Sequence, residues 1–300
     1  MKIGIPRSLY YYHYKDLWLS FFKKLNIDVV ISDKTTKEIM KKGIELSNDE
    51  MCIALKNYLG HVVSLKGLCD YVLIPRIDNY GINNQMCTNY MSTYDIIDKI
   101  LDIPIISYNI SLSDRKTEEK EFEKWSSILK RSKKEIREAY KYALEEVNKK
   151  SKYLERKNIE KLESKKTKIL IVSHPYNIFD EYIGLSIINS LKKYDVEIIY
   201  SEYFNKNKTN KLGNVLSSGL YFKYSKEEIG SILMCKDKID GILFLTAFPC
   251  ALDSLVIPLV LRKVDIPTLH LLIDEENSMT GIITRLESFI DIIERNKIHD

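Results

Sequence analysis

Apolar runs of strand length alternate with stretches of helical period along most of the chain. Lys2 to Pro6 is a short β run. Ser8 to Leu25 carries Leu9, Leu17, Trp18, Phe21, Phe22 and Leu25 at helical spacing, and Asp28 to Ser32 alternates as a strand. Thr35 to Lys42 reads as helix. The stretch Asn48-Asp49-Glu50-Met51-Cys52 combines capping residues with first-turn acids, which predicts a helix running on to Gly60-His61 with Cys52 in its first turn. Tyr71 to Pro75 is the next buried strand, Arg76 to Gln85 reads as a polar loop ending at Cys87, Thr93 to Leu101 as a helix and Ile103 to Tyr108 as a strand. From Glu118 to Leu162 the pattern is helical and charged, with Phe122, Trp125, Leu129, Ile136, Tyr140 and Ala143 on one face.

At Lys168 the opening pattern restarts. A strand to His174 is followed by a polar turn at Pro175-Tyr176-Asn177, a helix from Asp180 to Lys193 and a strand from Val196 to Tyr200. Lys238-Ile239-Asp240-Gly241 leads into an apolar strand and Cys250, as Leu68-Cys69-Asp70-Tyr71 leads into a strand and Cys87. Ala251 to Lys263 then reads as helix, and Val264-Asp265-Ile266-Pro267 echoes Leu101-Asp102-Ile103-Pro104. The pattern predicts an α/β protein made of two doubly wound (Rossmann/flavodoxin-like) parallel-sheet domains, residues 1–112 and 167–300, joined by a helical connector over 113–166 with a hinge at Ser164 to Thr167. The expected ligand site is the cleft between the carboxyl edges of the two sheets.

Composition narrows the function classes. The net charge is +4, but Ser111 to Lys168 holds 19 Lys and Arg against 12 Asp and Glu, so the rest of the chain is net acidic. The basic stretch reads as a solvated helical face, without a nucleic-acid motif beside it. No window reaches the roughly 18 to 20 uncharged apolar residues of a membrane helix, and the N-terminus lacks the apolar stretch of a signal peptide, so a cytoplasmic protein is expected. Five cysteines without secreted-domain spacing argue against a disulfide framework and leave thiols for metal or redox work.

Cys69 and Cys235 each lie just before a strand and read as packing residues. Cys52, Cys87 and Cys250 fall instead at the expected ligand edge, with Cys52 where a helix start favours a thiolate. Three chemistries fit such thiols. Structural zinc takes four ligands at short spacing, and the chain has no CxxC. A Cys-His nucleophile would draw on His61 or His174. A 4Fe-4S cluster held by three cysteines would leave one iron open for a substrate, water or protein oxygen. Arg7 and Arg76, each following a β run, are placed to hold an anionic group, and Glu50 and His61 near Cys52 to serve as supporting groups or proton donors.

The chain resembles the 2-hydroxyacyl-CoA dehydratase and benzoyl-CoA reductase superfamily, most closely its acyl-CoA dehydratase activase-related branch. The resemblance is carried by Ile3-Gly4-Ile5-Pro6-Arg7 with Tyr11 and Trp18, by Glu50-Met51-Cys52 through Lys56 to Gly60-His61, and by Leu73-Ile74-Pro75-Arg76 to Cys87. Phe248-Pro249-Cys250 with Asp253-Ser254, and Asp274-Glu275 through Gly281 to Phe289, extend it to most of the chain. It implies a 4Fe-4S protein of anaerobes with Cys52, Cys87 and Cys250 as ligands, receiving electrons from an ATP-hydrolysing iron-sulfur activator and passing them to a small-molecule or acyl-CoA-like substrate, and it implies a homodimer. Ala251-Leu252 and Met279-Thr280 stand where relatives commonly have Gly-Pro and Glu-Ala, and five cysteines are one short of a double-cubane set. The second reading is a non-enzymatic cluster carrier or assembly partner docking on the activator through the basic segment, and the third a metal-free α/β ligand-binding protein.

Overall fold

The computed structural model describes residues 1–275 and 279–299. The chain forms two compact units, residues 1–150 with 221–223 and residues 151–220 with 224–300. In the first, the order is β1 (Lys2–Ile5), α1 (Tyr11–Lys24), β2 (Asp28–Ile31), α2 (Lys37–Glu45), α3 (Ile53–Ser64), β3 (Tyr71–Leu73), β4 (Arg76–Asn79), α4 (Thr88–Ile100), β5 (Ile105–Ile106) and β6 (Asn109–Ser111). Three helices follow: α5 (Glu118–Glu123), α6 (Ser126–Leu129) and the long α7 (Lys133–Leu162), inside which the chain passes from the first unit to the second. The expected connector is therefore shared between the units and does not stand apart from them.

The first sheet is parallel in the order β2-β1-β3-β5. Its hydrophobic layer continues into an aromatic cluster of Phe21, Phe22, Tyr108, Phe122 and Trp125, all buried, with Phe122 stacked on Trp125 at 4.4 Å between ring centroids. Burying one such ring contributes on the order of 2 kcal/mol, which explains why α5 stays docked despite its charge. The stretch after Pro75, expected as a loop, is β4, paired in parallel with β6. The ladder passes through the break: Ile74 N–H donates to Ile106 and Arg76 N–H to Tyr108. The strand escapes the sequence pattern because Ile77 is its one buried apolar residue among Arg76, Asp78 and Asn79.

The second unit contains β7 (Thr167–Val172), α8 (Pro175–Phe179), α9 (Leu185–Leu191), β8 (Val196–Tyr200), α10 (Lys206–Leu216), α11 (Lys223–Cys235), β9 (Gly241–Ala247), α12 (Ala251–Leu261), β10 (Thr268–Ile273) and α13 (Met279–His299). Its sheet is parallel in the order β8-β7-β9-β10, the same winding as the first. All seven residues of β9 are buried, as a central strand covered on both faces requires. Around it lie Ile169, Ile171, Leu243, Leu245, Leu271, Leu286 and Phe289. The helix expected from Asp180 starts later, because the Asp180 carboxylate accepts from the N–H groups of Tyr182 and Ile183 and closes a turn of its own.

The duplication is visible in backbone contacts. A Cβ on Gly60 would run into the carbonyl of Ile39, and one on Gly43 into that of Lys56, which lets α2 and α3 touch backbone to backbone. Gly230 stands in the same relation to Thr209, and Gly213 to Lys226, in the pair α10 and α11, at an identical sequence offset. Lys56 and Lys226, at matching positions, are both buried.

Candidate functional site

A helix that crosses between parallel strands runs against them, so its N-terminus sits at the carboxyl edge of the sheet. Each of the three cysteines read as ligands occupies such a start. Cys52 is the N-cap of α3 (φ −66°, ψ 150°), Cys87 of α4 (φ −69°, ψ 159°) and Cys250 of α12 (φ −95°, ψ 102°). None uses its side chain to cap a backbone N–H. The positive end of the helix at such a position favours negatively charged sulfur. In the first unit Asn89, two residues past Cys87, donates from Nδ2 to Cys52 Sγ at 3.2 Å, so the starts of α3 and α4 lie side by side.

These starts differ from the sequence reading in detail. Cys52 caps α3 and does not enter its first turn, because Asn48 Oδ1 accepts from Met51 N–H and spends its capping capacity on a separate turn. Cys87 opens a helix that begins at Thr88, ahead of the expected Thr93. Tyr90, Thr93 and Ile97 form its buried stripe, and Tyr10 Oη donates to the Tyr90 carbonyl. Cys69 and Cys235 have packing roles. Cys69 lies against Gly4 and faces the Leu65 carbonyl, Cys235 faces that of Ser231, and burial pushes the Cys235 thiol up to about 12.

His61 is fully buried and held by both ring nitrogens, Nδ1 with Ser32 Oγ at 2.8 Å and Nε2 with Thr35 Oγ1 at 2.9 Å. Burial, then the Arg7 guanidinium, lowers its pKa to about 3, so it is neutral at physiological pH. Ser32 Oγ also accepts from Arg7 N–H, and Thr35 Oγ1 from Asn57, which ties the loops after β1 and β2 to α3. Arg76 pairs with Asp95 at 2.9 Å and Asp78 at 3.3 Å, and Glu50 is exposed on the turn before Cys52.

The second unit holds a group that sequence reasoning missed. His174, at the carboxyl end of β7, has Nδ1 2.8 Å from Glu228 Oε1 on α11 and Nε2 3.6 Å from Asp253 Oδ1 in the first turn of α12. Tyr176 stacks on the imidazole at 5.0 Å between centroids. Burial opposes protonation of the ring, but the two carboxylates outweigh it and hold the pKa well above the ordinary histidine value. His174 was legible only as a lone histidine after a strand; its two acids arrive from helices far along the chain.

Comparison with known proteins adds a family. The model described as "CoA enzyme activase uncharacterised domain" matches residues 2–204. No curated protein shows significant similarity to the chain. Among solved structures, that of the SBP FpvC from Pseudomonas aeruginosa in complex with Mn2+ matches over 100% of this chain and 99% of its own, at 9% identity and a TM-score of 0.27. A superposition that loose carries no weight for fold or function. Among the described residues, no helix is long and apolar enough to cross a membrane.

Proposed function

Because the chain belongs to the CoA enzyme activase uncharacterised domain family, we propose that it serves the activation of a CoA enzyme as an electron-carrying iron-sulfur protein, with Cys52, Cys87 and Cys250 as ligands. The observation that carries this reading is that all three cysteines are N-caps of crossover helices, while Cys69 faces the Leu65 carbonyl ahead of β3 and Cys235 is buried at the end of α11. What supports a 4Fe-4S cluster is that each thiol stands where a thiolate is favoured and that Cys52 accepts a hydrogen bond of the kind that cluster sulfurs receive. Bound there, such a cluster supplies low-potential one-electron chemistry with one iron left open.

The chain's own residues supply the setting. Cys52 and Cys87 are positioned by α3 and α4, and Asn89 holds the Cys52 sulfur. His61 fixes α3 to the loops after β1 and β2; neutral and doubly bonded, it acts in this reading as a positioning residue and not as a proton donor. Arg7 contributes positive charge beside that network, and Arg76 would meet an anion only by exchanging its two aspartates. Electrons would come from an ATP-hydrolysing iron-sulfur activator and go to a small-molecule or acyl-CoA-like substrate, in the cytoplasm and as a homodimer.

Anaerobic reconstitution followed by iron and sulfide analysis and electron paramagnetic resonance tests this. The expected result is about four irons per chain, lost in Cys52→Ala, Cys87→Ala and Cys250→Ala and kept in Cys69→Ala and Cys235→Ala. A folded wild-type chain that takes up no iron would sink the proposal. A non-enzymatic carrier would hold the same iron but pass no electrons to an acyl-CoA in the presence of an activator and ATP.

A further inference from the structure

His174, Glu228 and Asp253 each offer one ligand atom, and these atoms all lie within 4.8 Å of one another. They gather at the carboxyl ends of β7 and β9, the central pair where the strand order of the second sheet reverses, which is where open α/β sheets hold ligands. We propose that these three side chains form a binding site for a divalent cation of the first transition row, using nitrogen and oxygen donors. His174 Nε2 and an Asp253 oxygen would be the first ligands. Glu228, whose carboxylate stands 2.8 Å from the far ring nitrogen, lies within reach as a third ligand.

Two observations support a ligand over a self-contained ion cluster. The first is charge. Two carboxylates buried beside one imidazole leave an uncompensated negative charge even when the ring is protonated, whereas a divalent cation beside a neutral ring balances both. Lys206 does not close the gap, because its single charge, paired with Glu202 at 2.6 Å, is shared among Glu202, Glu227 and Glu228. The second is an unsatisfied atom. His174 Nδ1, on a side chain only 8% exposed, approaches Glu228 closely yet makes no aligned hydrogen bond. A cation on Nε2 would leave the ring neutral with its proton on Nδ1, the atom facing Glu228.

The test titrates the full, tag-free chain with Mn2+ and follows the free-ion electron paramagnetic resonance signal. Mn2+ suits sites with carboxylate oxygens and binds thiolates poorly, which separates this site from the cysteines and from the fate of the iron-sulfur reading. The expected result is saturable uptake of one Mn2+ per chain, with affinity lowered at least about 10-fold in His174→Gln and Asp253→Asn and unchanged in the Cys52, Cys87 and Cys250 to Ser triple variant. Should the variants fail to fold, the wild type still decides: substoichiometric Mn2+ should broaden the His174 imidazole resonances first among the five histidines. No saturable uptake, uptake that survives the His174 and Asp253 changes, broadening centred on another histidine, or uptake lost with the cysteines each overturns the proposal.

Discussion

Asn89 donates to the Cys52 sulfur, and that single contact has a measurable consequence. Removing a donor from a ligand sulfur disfavours the more negative, reduced form of a cluster. In the reconstituted protein, Asn89→Ala should therefore lower the reduction midpoint by tens of millivolts, the equivalent of about 1 kcal/mol for one electron; a midpoint within error of the wild type would remove Asn89 from the site. Two buried titratable groups of the first unit set its response to pH in opposite directions. His61 is held neutral, with its pKa lowered to about 3, so it contributes stability above the unfolded value near 6.5 that is lost as pH falls toward 3. Glu118, raised to about 7 by burial, contributes stability below about 4.5 that is lost as pH rises through 7. Glu118→Gln keeps an acceptor for the Tyr140 hydroxyl and should raise the melting temperature at pH 8 while changing it little at pH 4. An equal shift at both pH values would mean that Glu118 is not buried as a carboxyl group.

Elements in this chain are joined by how closely they approach as much as by what they bury. Gly60 and Gly230 let two helix pairs meet at backbone distance, and Gly281, in α13, has open space around its missing Cβ. Replacing Gly60 or Gly230 with Ala should cost at least about 1–3 kcal/mol through displaced helices, since flanking carbonyls cannot move aside. Gly281→Ala should gain up to about 1 kcal/mol from helix propensity. Thermal or urea unfolding of the three variants separates the effects by sign. None of this was readable from the periodicity, which treats a glycine in a helix only as a weak former. The apolar pattern did find α1, β8, β9 and α12, through a helical repeat in α1 and an unbroken run of strand length in β9. It missed β4, with its one buried side chain, and the true start of α4, where Thr88, Asn89 and Ser92 mask a stripe that only the docked Tyr90 reveals.

For the molecule as a whole, the basic surplus between Ser111 and Lys168 bears on partners. If an acidic activator docks there, replacing the exposed Lys134, Lys141 and Lys152 of α7 with Glu should slow association about 10-fold at low salt and flatten its salt dependence, as stopped-flow mixing would show. Association that is unchanged by the substitutions would free this segment of any docking role. The amino-acid sequence by itself determined the α/β class, the duplicated winding and the placing of Cys52 and Cys250 where helices begin; that Cys87 also opens a helix came only from the structure. Those properties are local: they follow from apolar period, from turn residues and from a strand handing over to a helix, all within a dozen residues. Tertiary structure alone decided that Asn89 meets Cys52, that His61 is locked between Ser32 and Thr35, and that His174 stands between Glu228 and Asp253. Each of these joins residues from separate elements, and their meeting depends on sheet order and helix approach, which no window along the chain contains.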